Sequence, residues 1–255
     1  MFKILVIGEK CIDRFMYCDV SRFSPEAPVP VLNPIEIVEN DGMAGNVVRN
    51  ILAMKSDSLV AHWHQEEIIT KTRFVEKKSN HMFLRVDEGE DTIEPLVLTD
   101  EMIDIIKESD AVIISDYNKG FLSKSDILEI SSKCNCPTFL DTKKKLGEWC
   151  KNISFIKINY HEYLRSKTKI DNNEWLKNKT IITRGPNGCD FGGKNYPTKE
   201  VSVKDVAGAG DSFLAGLIFK YIHTYNIEES IEFANKCSTQ VVQKRGVSII
   251  NKNKL

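Results

Sequence analysis

The densest chemistry in the chain lies at residues 205–211, which read D-V-A-G-A-G-D. Gly208 and Gly210 stand two apart and are followed by Asp211 and an apolar run over 212–219 that predicts a helix. Such glycines let the backbone turn sharply and bring its N–H groups close to a ligand, while the opening helix aims the positive end of its dipole at the same point. Anions collect in such a place. Asp211 within it is either a helix cap or a general base. A carboxylate beside a bound polyphosphate needs a reason to be there, and phosphoryl transfer supplies one. Taken alone, G-x-G-D is equally a capped helix start, since Asp and Gly are favoured at that position.

Further polar residues follow predicted strands. Residues 3–7 form an apolar run ending in Gly8, the pattern of a buried parallel strand, and Asp13 and Arg14 stand in the loop expected after it. Ligands of open α/β sheets bind outside the carboxyl ends of the strands, although Asp13 also suits a turn. Asp116, Asp141 and the set Asn159, Tyr160, His161 and Glu162 follow later predicted strands at 110–115, 137–141 and 153–158. If those strands hold, Asp13, Asp116, Asp141, Asn159, Glu162 and Asp211 face one crevice. The run Lys143, Lys144, Lys145 reads as solvated surface or as one phosphate contact. Thr183 ends another strand before the G-P-N-G turn at 185–188. Gly42, Gly45 and Asn46 mark a second glycine-bearing helix start, suited to sugar hydroxyls or to close helix packing. His62 and His64 lack a third ligand and read as surface residues.

The elements that position these residues alternate strand and helix, which predicts an α/β fold with a doubly wound, mostly parallel sheet flanked by helices. Residues 14–39 and 71–87 differ: short alternating strands around a proline-rich turn predict a small antiparallel flap, or lid, whose apolar face needs the cleft or a second subunit. Residues 201–204 are expected to pair with 189–191, and 227–243 to form a last amphipathic helix. With 255 residues and 42% hydrophobic content, the expectation is one domain over 1–255. A net charge of −1 gives no field for nucleic acid or an anionic membrane. Seven cysteines without a C-x-x-C pair, no apolar run of membrane length and an apolar start too short for a leader suggest a reduced cytoplasmic protein.

The stretch from Asp205 to Asp211 meets the late D-x-x-G-A-G-D signature of the ribokinase-like (PfkB) carbohydrate kinases, and the chain resembles that family over nearly its whole length. Within it the chain looks most like the kinase domain of D-glycero-β-D-manno-heptose 7-phosphate kinases, on I-D-R at 12–14, S-R-F-S-P-E-A-P-V-P-V at 21–31, S-D-Y-N-K-G at 115–120 and Y-P-T at 196–198. The resemblance implies ATP and Mg²⁺ as cofactors and a sugar phosphate as acceptor. Asp211 would be the general base, and Gly208, Ala209 and Gly210 would offer backbone N–H groups to the transferring phosphate. Asn159, Tyr160, His161 and Glu162 match an N-x-x-E motif tied to ATP and, through water on Glu162, to Mg²⁺. Thr183, Gly185 and Gly188 would line the nucleotide, with Asn235 near the adenine. Asp13, Gly42 and Asn46 match sugar-binding positions, with Arg14 and Arg85 assigned to the sugar's existing phosphate. Asp205 would help hold a potassium ion, and the lid would form a homodimer.

Departures from the family pattern are Ala207 where threonine is usual, G-M-A-G-N at 42–46 for G-G-A-A-N, and a shortened segment after Met54. They leave open a different phosphosugar, or a catalytically weak relative that binds nucleotide or sugar as a regulator. A nucleotidyltransferase is disfavoured, with no H-x-G-H motif and no length for a second catalytic domain. A P-loop kinase is disfavoured for lack of G-x-x-x-x-G-K-[ST].

Overall fold

The computed structural model describes residues 1–54 and 58–255. The chain opens with β1 (Phe2–Gly8), β2 (Lys10–Phe23) and β3 (Pro30–Met43), then α1 (Ala44–Ala53). After the shortened connection expected beyond Met54, part of which lies outside the described residues, come β4 (Ser58–Trp63), β5 (Ile69–Glu76) and β6 (Met82–Glu88). Strand and helix then alternate: α2 (Asp100–Glu108), β7 (Ala111–Asp116), α3 (Lys124–Lys133), β8 (Thr138–Thr142), β9 (Phe155–Asn159), α4 (Tyr160–Asp171), α5 (Glu174–Lys177) and β10 (Thr180–Thr183). The hairpin β11 (Cys189–Phe191) and β12 (Lys194–Tyr196) precedes two long helices, α6 (Ala209–Thr224) and α7 (Ile227–Val241).

The large sheet runs β12-β11-β10-β9-β8-β7-β1-β4, parallel from β4 to β10 and antiparallel at β11 and β12. Side chains of a strand alternate between faces, and the core divides accordingly. Ile4, Val6, Ile113 and Phe139 pack with Leu214, Leu217, Ile218 and Ala234 of α6 and α7. Leu5, Ile7, Val112, Ile114 and Leu140 meet Ile127, Ile130 and Ile170 from α3 and α4 on the other face. Helices therefore cover both faces of the sheet. Helix α6 is the most deeply set, with an unbroken buried stretch from Asp211 to Phe219.

Local signals place the ends of these elements. Thr99 caps α2 by accepting from the Met102 N–H, and Ser123 with Asp126 closes the expected capping box of α3. Residues 201–204, expected as a strand, have no strand geometry; the partner of β11 is β12, joined through the two-glycine turn Gly192 and Gly193. The segment around His62 is not loose surface: it is β4, paired in parallel with β1.

The lid is a separate four-stranded sheet in the order β3-β2-β5-β6. Its outer pairs are antiparallel, but β2 and β5 run parallel because α1 and β4 intervene and carry the chain back to the same end. Strands β2 and β3 are 14 residues each, much longer than the expected fragments. Asp13 and Arg14 therefore sit on a strand rather than in a loop, and consecutive strand residues point to opposite faces.

Candidate active site

Helix α6 begins at Ala209, with Gly208 as its N-cap at φ 77°. A side chain at Gly208 would be strained and would also meet Asn46 Nδ2 at 2.6 Å. The Ala209 N–H donates to the Val206 carbonyl at 3.2 Å, so Ala209 is not a free backbone donor as expected. Among the described residues the N–H groups of Gly208 and Gly210 have no such acceptor, and they open outward at the positive end of the helix. Asp205 braces this turn: its Oδ1 accepts from the Ala207 N–H at 2.9 Å and its Oδ2 from the Gly246 N–H at 3.0 Å.

Asp211 lies in the first turn of α6 and is 6% exposed. Its Oδ1 accepts from the Tyr117 hydroxyl at 2.6 Å and its Oδ2 from Asn46 Nδ2 at 2.9 Å. The Asn46 amide is itself oriented, because Asn50 Nδ2 donates to Asn46 Oδ1 at 3.0 Å and to its carbonyl at 2.8 Å. Burial pushes the Asp211 carboxyl up to about 6, opposed by the hydrogen bonds from Tyr117 and Asn46 and by the charge of Lys157. A carboxylate poised there is ionised at neutral pH yet able to take a proton.

Behind the turn, Lys157 of β9 is 4% exposed and donates to Asp141 Oδ2 at 2.7 Å. A Cβ at Gly210 would lie 2.9 Å from its Nζ, so the lysine sits directly against the turn. Lys143 contacts Glu162 at 2.6 Å and lies 3.8 Å from Asp141 Oδ1, an oxygen that is buried without a hydrogen-bond partner among the described residues. Burial opposes the charge on Lys143, but Asp141 and Glu162 outweigh it and push its pKa upward. Glu162 in turn forms the capping box of α4 with Asn159: each side chain accepts from the other's N–H, at 2.7 and 2.9 Å.

Two cavities meet at residues 208–211. One, of about 370 Å³, holds Gly208 and Asp211 together with Asp13, Lys71, Arg73 and Arg85 from the lid and Tyr117, Lys119 and Lys143 from strand ends. The other, of about 470 Å³, holds Ala209 and Gly210 with Thr183, Gly185, Gly188 and Asn235, walled by Val201, Val203, Val206 and Val242. A larger hollow of about 700 Å³ lies beyond residues 197–201, lined largely by lysines and amides, and does not reach Asp211. The glycine turn is thus the shared wall between a charged cavity carrying a carboxylate and a more apolar cavity beside it.

Gly42 sits opposite Cys11 on β3, where an added Cβ would stand 2.2 Å from Asp13 Oδ2. Only a glycine leaves room for that carboxylate, which is held by Arg73. The residues expected to gather in the crevice divide. Asp13, Arg85 and Asp211 line the charged cavity, with Gly42 against Asp13 and Asn46 on Asp211, while Lys143 connects it to Asp141 and Glu162, the latter capping with Asn159. Asp116 instead pairs with Lys144 and accepts from Thr142. Tyr160 and His161 stand on the exposed start of α4, with Arg184 over the Tyr160 ring at 4.6 Å. Arg14 is corrected outright: it alternates with Asp13, pairs with Glu39 at 2.6 Å and faces away from the cavity.

Sequence reasoning missed Glu9, Lys71, Arg73, Tyr117 and Lys157. Glu9 is fully buried and accepts from the Tyr117 and Lys119 N–H groups, each at 2.8 Å. Lys157 carried a readable signal, a cation in the middle of an apolar strand, which demands a buried partner.

Known proteins agree with this architecture. The pattern of the pfkB family carbohydrate kinases matches residues 55–254. The bifunctional protein HldE of Yersinia pseudotuberculosis serotype O:1b is 27% identical over 97% of this chain. The chain spans 61% of the length of that relative, so it corresponds to part of it. Among solved structures, ribokinase from Thermotoga maritima superposes with a TM-score of 0.76 at 16% identity, covering 100% of this chain and 98% of that one. The ribokinase of Arabidopsis thaliana in complex with ribose and ATP gives 0.72 at 13%, covering 98% and 96%. Phosphofructokinase-2 from Escherichia coli in complex with potassium gives 0.72 at 15%, covering 100% and 97%. The fold is ribokinase-like, and the chain belongs to the pfkB family of carbohydrate kinases.

Proposed function

We propose that this sugar kinase transfers the γ-phosphoryl group of ATP to the C1 hydroxyl of D-glycero-D-manno-heptose 7-phosphate. The observation that carries the reading is the shared wall: the base Asp211 opens on the charged cavity while the glycine turn beside it opens on the other. ATP lies in the valine-walled cavity, its adenine toward Asn235 and its phosphates on the turn. The sugar lies in the charged cavity, its ring hydroxyls on Asp13 and Asn46 and its own phosphate among Arg85, Lys71 and Lys119.

Asp211 takes the proton from the acceptor hydroxyl as that oxygen attacks the γ-phosphorus. The bond from the γ-phosphorus to the β,γ-bridging oxygen breaks, and ADP leaves. The N–H groups of Gly208 and Gly210, with Lys157 behind them, stabilise the charge spread over the transferring oxygens. Glu162 and the partnerless Asp141 Oδ1 are the donors that suit the Mg²⁺ accompanying ATP, and that ion neutralises phosphate charge when bound. Asp205 accepts one backbone N–H on each oxygen, which leaves lone pairs for the potassium ion that the reading assigns to it.

The outer lid face supports a homodimer. Ile37, Met16, Phe74 and Leu84 stand in one register row across all four strands, and Ile37 and Leu84 are 56% and 45% exposed. The row that faces the cavity is charged, so the apolar face needs a second copy rather than the cleft. Seven free cysteines fit a reducing, cytoplasmic setting.

The function is tested by following ADP release with Mg-ATP and a panel of sugar phosphates. The reading predicts the highest kcat/KM for heptose 7-phosphate and a steep loss when the terminal phosphate is removed. Preference for another sugar would overturn the heptose assignment.

A further inference from the structure

Tyr117 packs its ring against Cys11, Met43 and Ile69, but its hydroxyl has a polar task of its own. It is supplied by the loop after β7, an element other than the helix that carries Asp211, and its hydroxyl reaches Asp211 Oδ1 at 2.6 Å. Its backbone is pinned from two sides. The Tyr117 N–H donates to Glu9 at 2.8 Å, and the next residue, Asn118, sits in the left-handed region at φ 58° while its N–H donates to Asp116 Oδ1 at 3.0 Å. Strain of this kind in a non-glycine residue is kept where the surroundings fix the loop. The ring is held as well, with the Lys143 ammonium 5.1 Å from its centroid. A phenylalanine would fill the same space but would leave one carboxylate oxygen of Asp211 without its donor in a buried site.

We propose that Tyr117 is the positioning residue of the catalytic base, its phenol orienting the Asp211 carboxylate and keeping it ionised in a buried pocket. The inference rests on the reading of Asp211 as the base. Asn46 from α1 holds the second carboxylate oxygen, so the two donors fix the carboxylate plane and leave only its remaining lone pairs for the acceptor hydroxyl. The charged and titratable groups around Asp211 are Lys157 of β9, Asp141 of β8, Lys143 of the following loop and Cys11 of β2, and across the cavity Asp13 of β2, Lys71 and Arg73 of β5, Arg85 and Asp87 of β6 and Lys119 of the β7 loop. Burial first, and then the charge of Asp211, push the Tyr117 phenol well above its ordinary range. It therefore stays protonated, and a donor, at every working pH.

The test is carboxyl ¹³C NMR on the full chain labelled at aspartate, with the Asp211 signal assigned by its loss in Asp211→Asn. This readout needs no acceptor, and a purely structural role for Tyr117 would not move it. The wild-type signal is expected to titrate at about 6, where burial places the Asp211 carboxyl. In Tyr117→Phe the midpoint rises by about one unit or more, the scale expected for losing one hydrogen bond to a charged group. With 3,5-difluorotyrosine at position 117, a stronger donor, the midpoint falls. The acid limb of kcat/KM with ATP and heptose 7-phosphate moves in the same directions. An Asp211 midpoint that both replacements leave unchanged overturns the proposal. If Asp211→Asn keeps full turnover, the base itself is misassigned. If it is inactive and Tyr117→Phe titrates like the wild type, the positioning role alone is lost.

Discussion

As the proposed base, Asp211 would have to be ionised to act, yet it is buried, and the two requirements conflict energetically. Its folded-state pKa of about 6 lies above the ordinary aspartate value. The native state is therefore most favoured below pH 4 with respect to this group and loses that favour as pH rises toward 6, where an ionised carboxylate must stay buried. We expect Asp211→Asn to raise stability at pH 7.5 by roughly 1–3 kcal/mol, with the difference vanishing near pH 4, measured by urea unfolding at both pH values. A variant that is less stable than wild type at pH 7.5 would mean that the carboxylate is better satisfied than its burial indicates. Gly42→Ala acts at the neighbouring residue: the new methyl must displace Asp13 Oδ2 from 2.2 Å. Steady-state kinetics should show KM for the sugar raised at least about tenfold, with KM for ATP little changed, because uniform acceptor binding is lost. Residues of this kind were only partly legible. The glycine turn and Asp211 could be read because their spacing is local. Tyr117 and Arg73 could not, because each acquires its meaning from a partner on another element, Asp211 and Asp13; Lys157 showed only as a cation in an apolar strand, its partner Asp141 lying on another element.

Elements whose signals are local were read well. The Ser123 capping box, the apolar runs of β1, β7 and β9 and the helix at 227–241 all lie where composition and periodicity put them. The lid strands were underestimated: they were expected as short fragments around a proline-rich turn, while pairing with β2 sustains β3 from Pro30 through Pro34 to Met43. That error mattered for Arg14: within a continuous strand it must face away from Asp13. β4 was missed because His62, Trp63 and His64 look like a surface patch, yet pairing with β1 draws the His62 ring inward. Burial, with His64 nearby, depresses the His62 pKa to about 4. A histidine with a lowered folded pKa supports stability fully above about 6.5 and loses that support as pH falls toward 4. His62→Leu should accordingly be more stable than wild type by roughly 1–2 kcal/mol at pH 4.5 and nearly equal at pH 7.5, read from thermal melts by circular dichroism. An acid profile that the substitution does not alter would place the histidine in solvent.

At the scale of the whole molecule, the large sheet brings the valine-walled and the charged cavities to one edge, and the lid supplies charged residues to the latter while presenting an apolar outer face. Leu84→Asp on that outer face should turn a dimer into a monomer in light scattering without moving Asp13 or Lys71, which point the other way. A wild-type chain that is already monomeric at micromolar concentration would remove the lid interface from the account. The central claim, that Asp211 removes a proton from the C1 hydroxyl so that it attacks ATP, is tested most directly by phosphorus NMR. Purified protein with Mg-ATP and D-glycero-D-manno-heptose 7-phosphate should yield ADP and one new sugar phosphate resonance coupled to the anomeric proton. Asp211→Asn should slow its appearance by about 10²–10⁴-fold, as for a lost general base. A new resonance coupled to any other sugar proton, or one formed at the wild-type rate by Asp211→Asn, would contradict it.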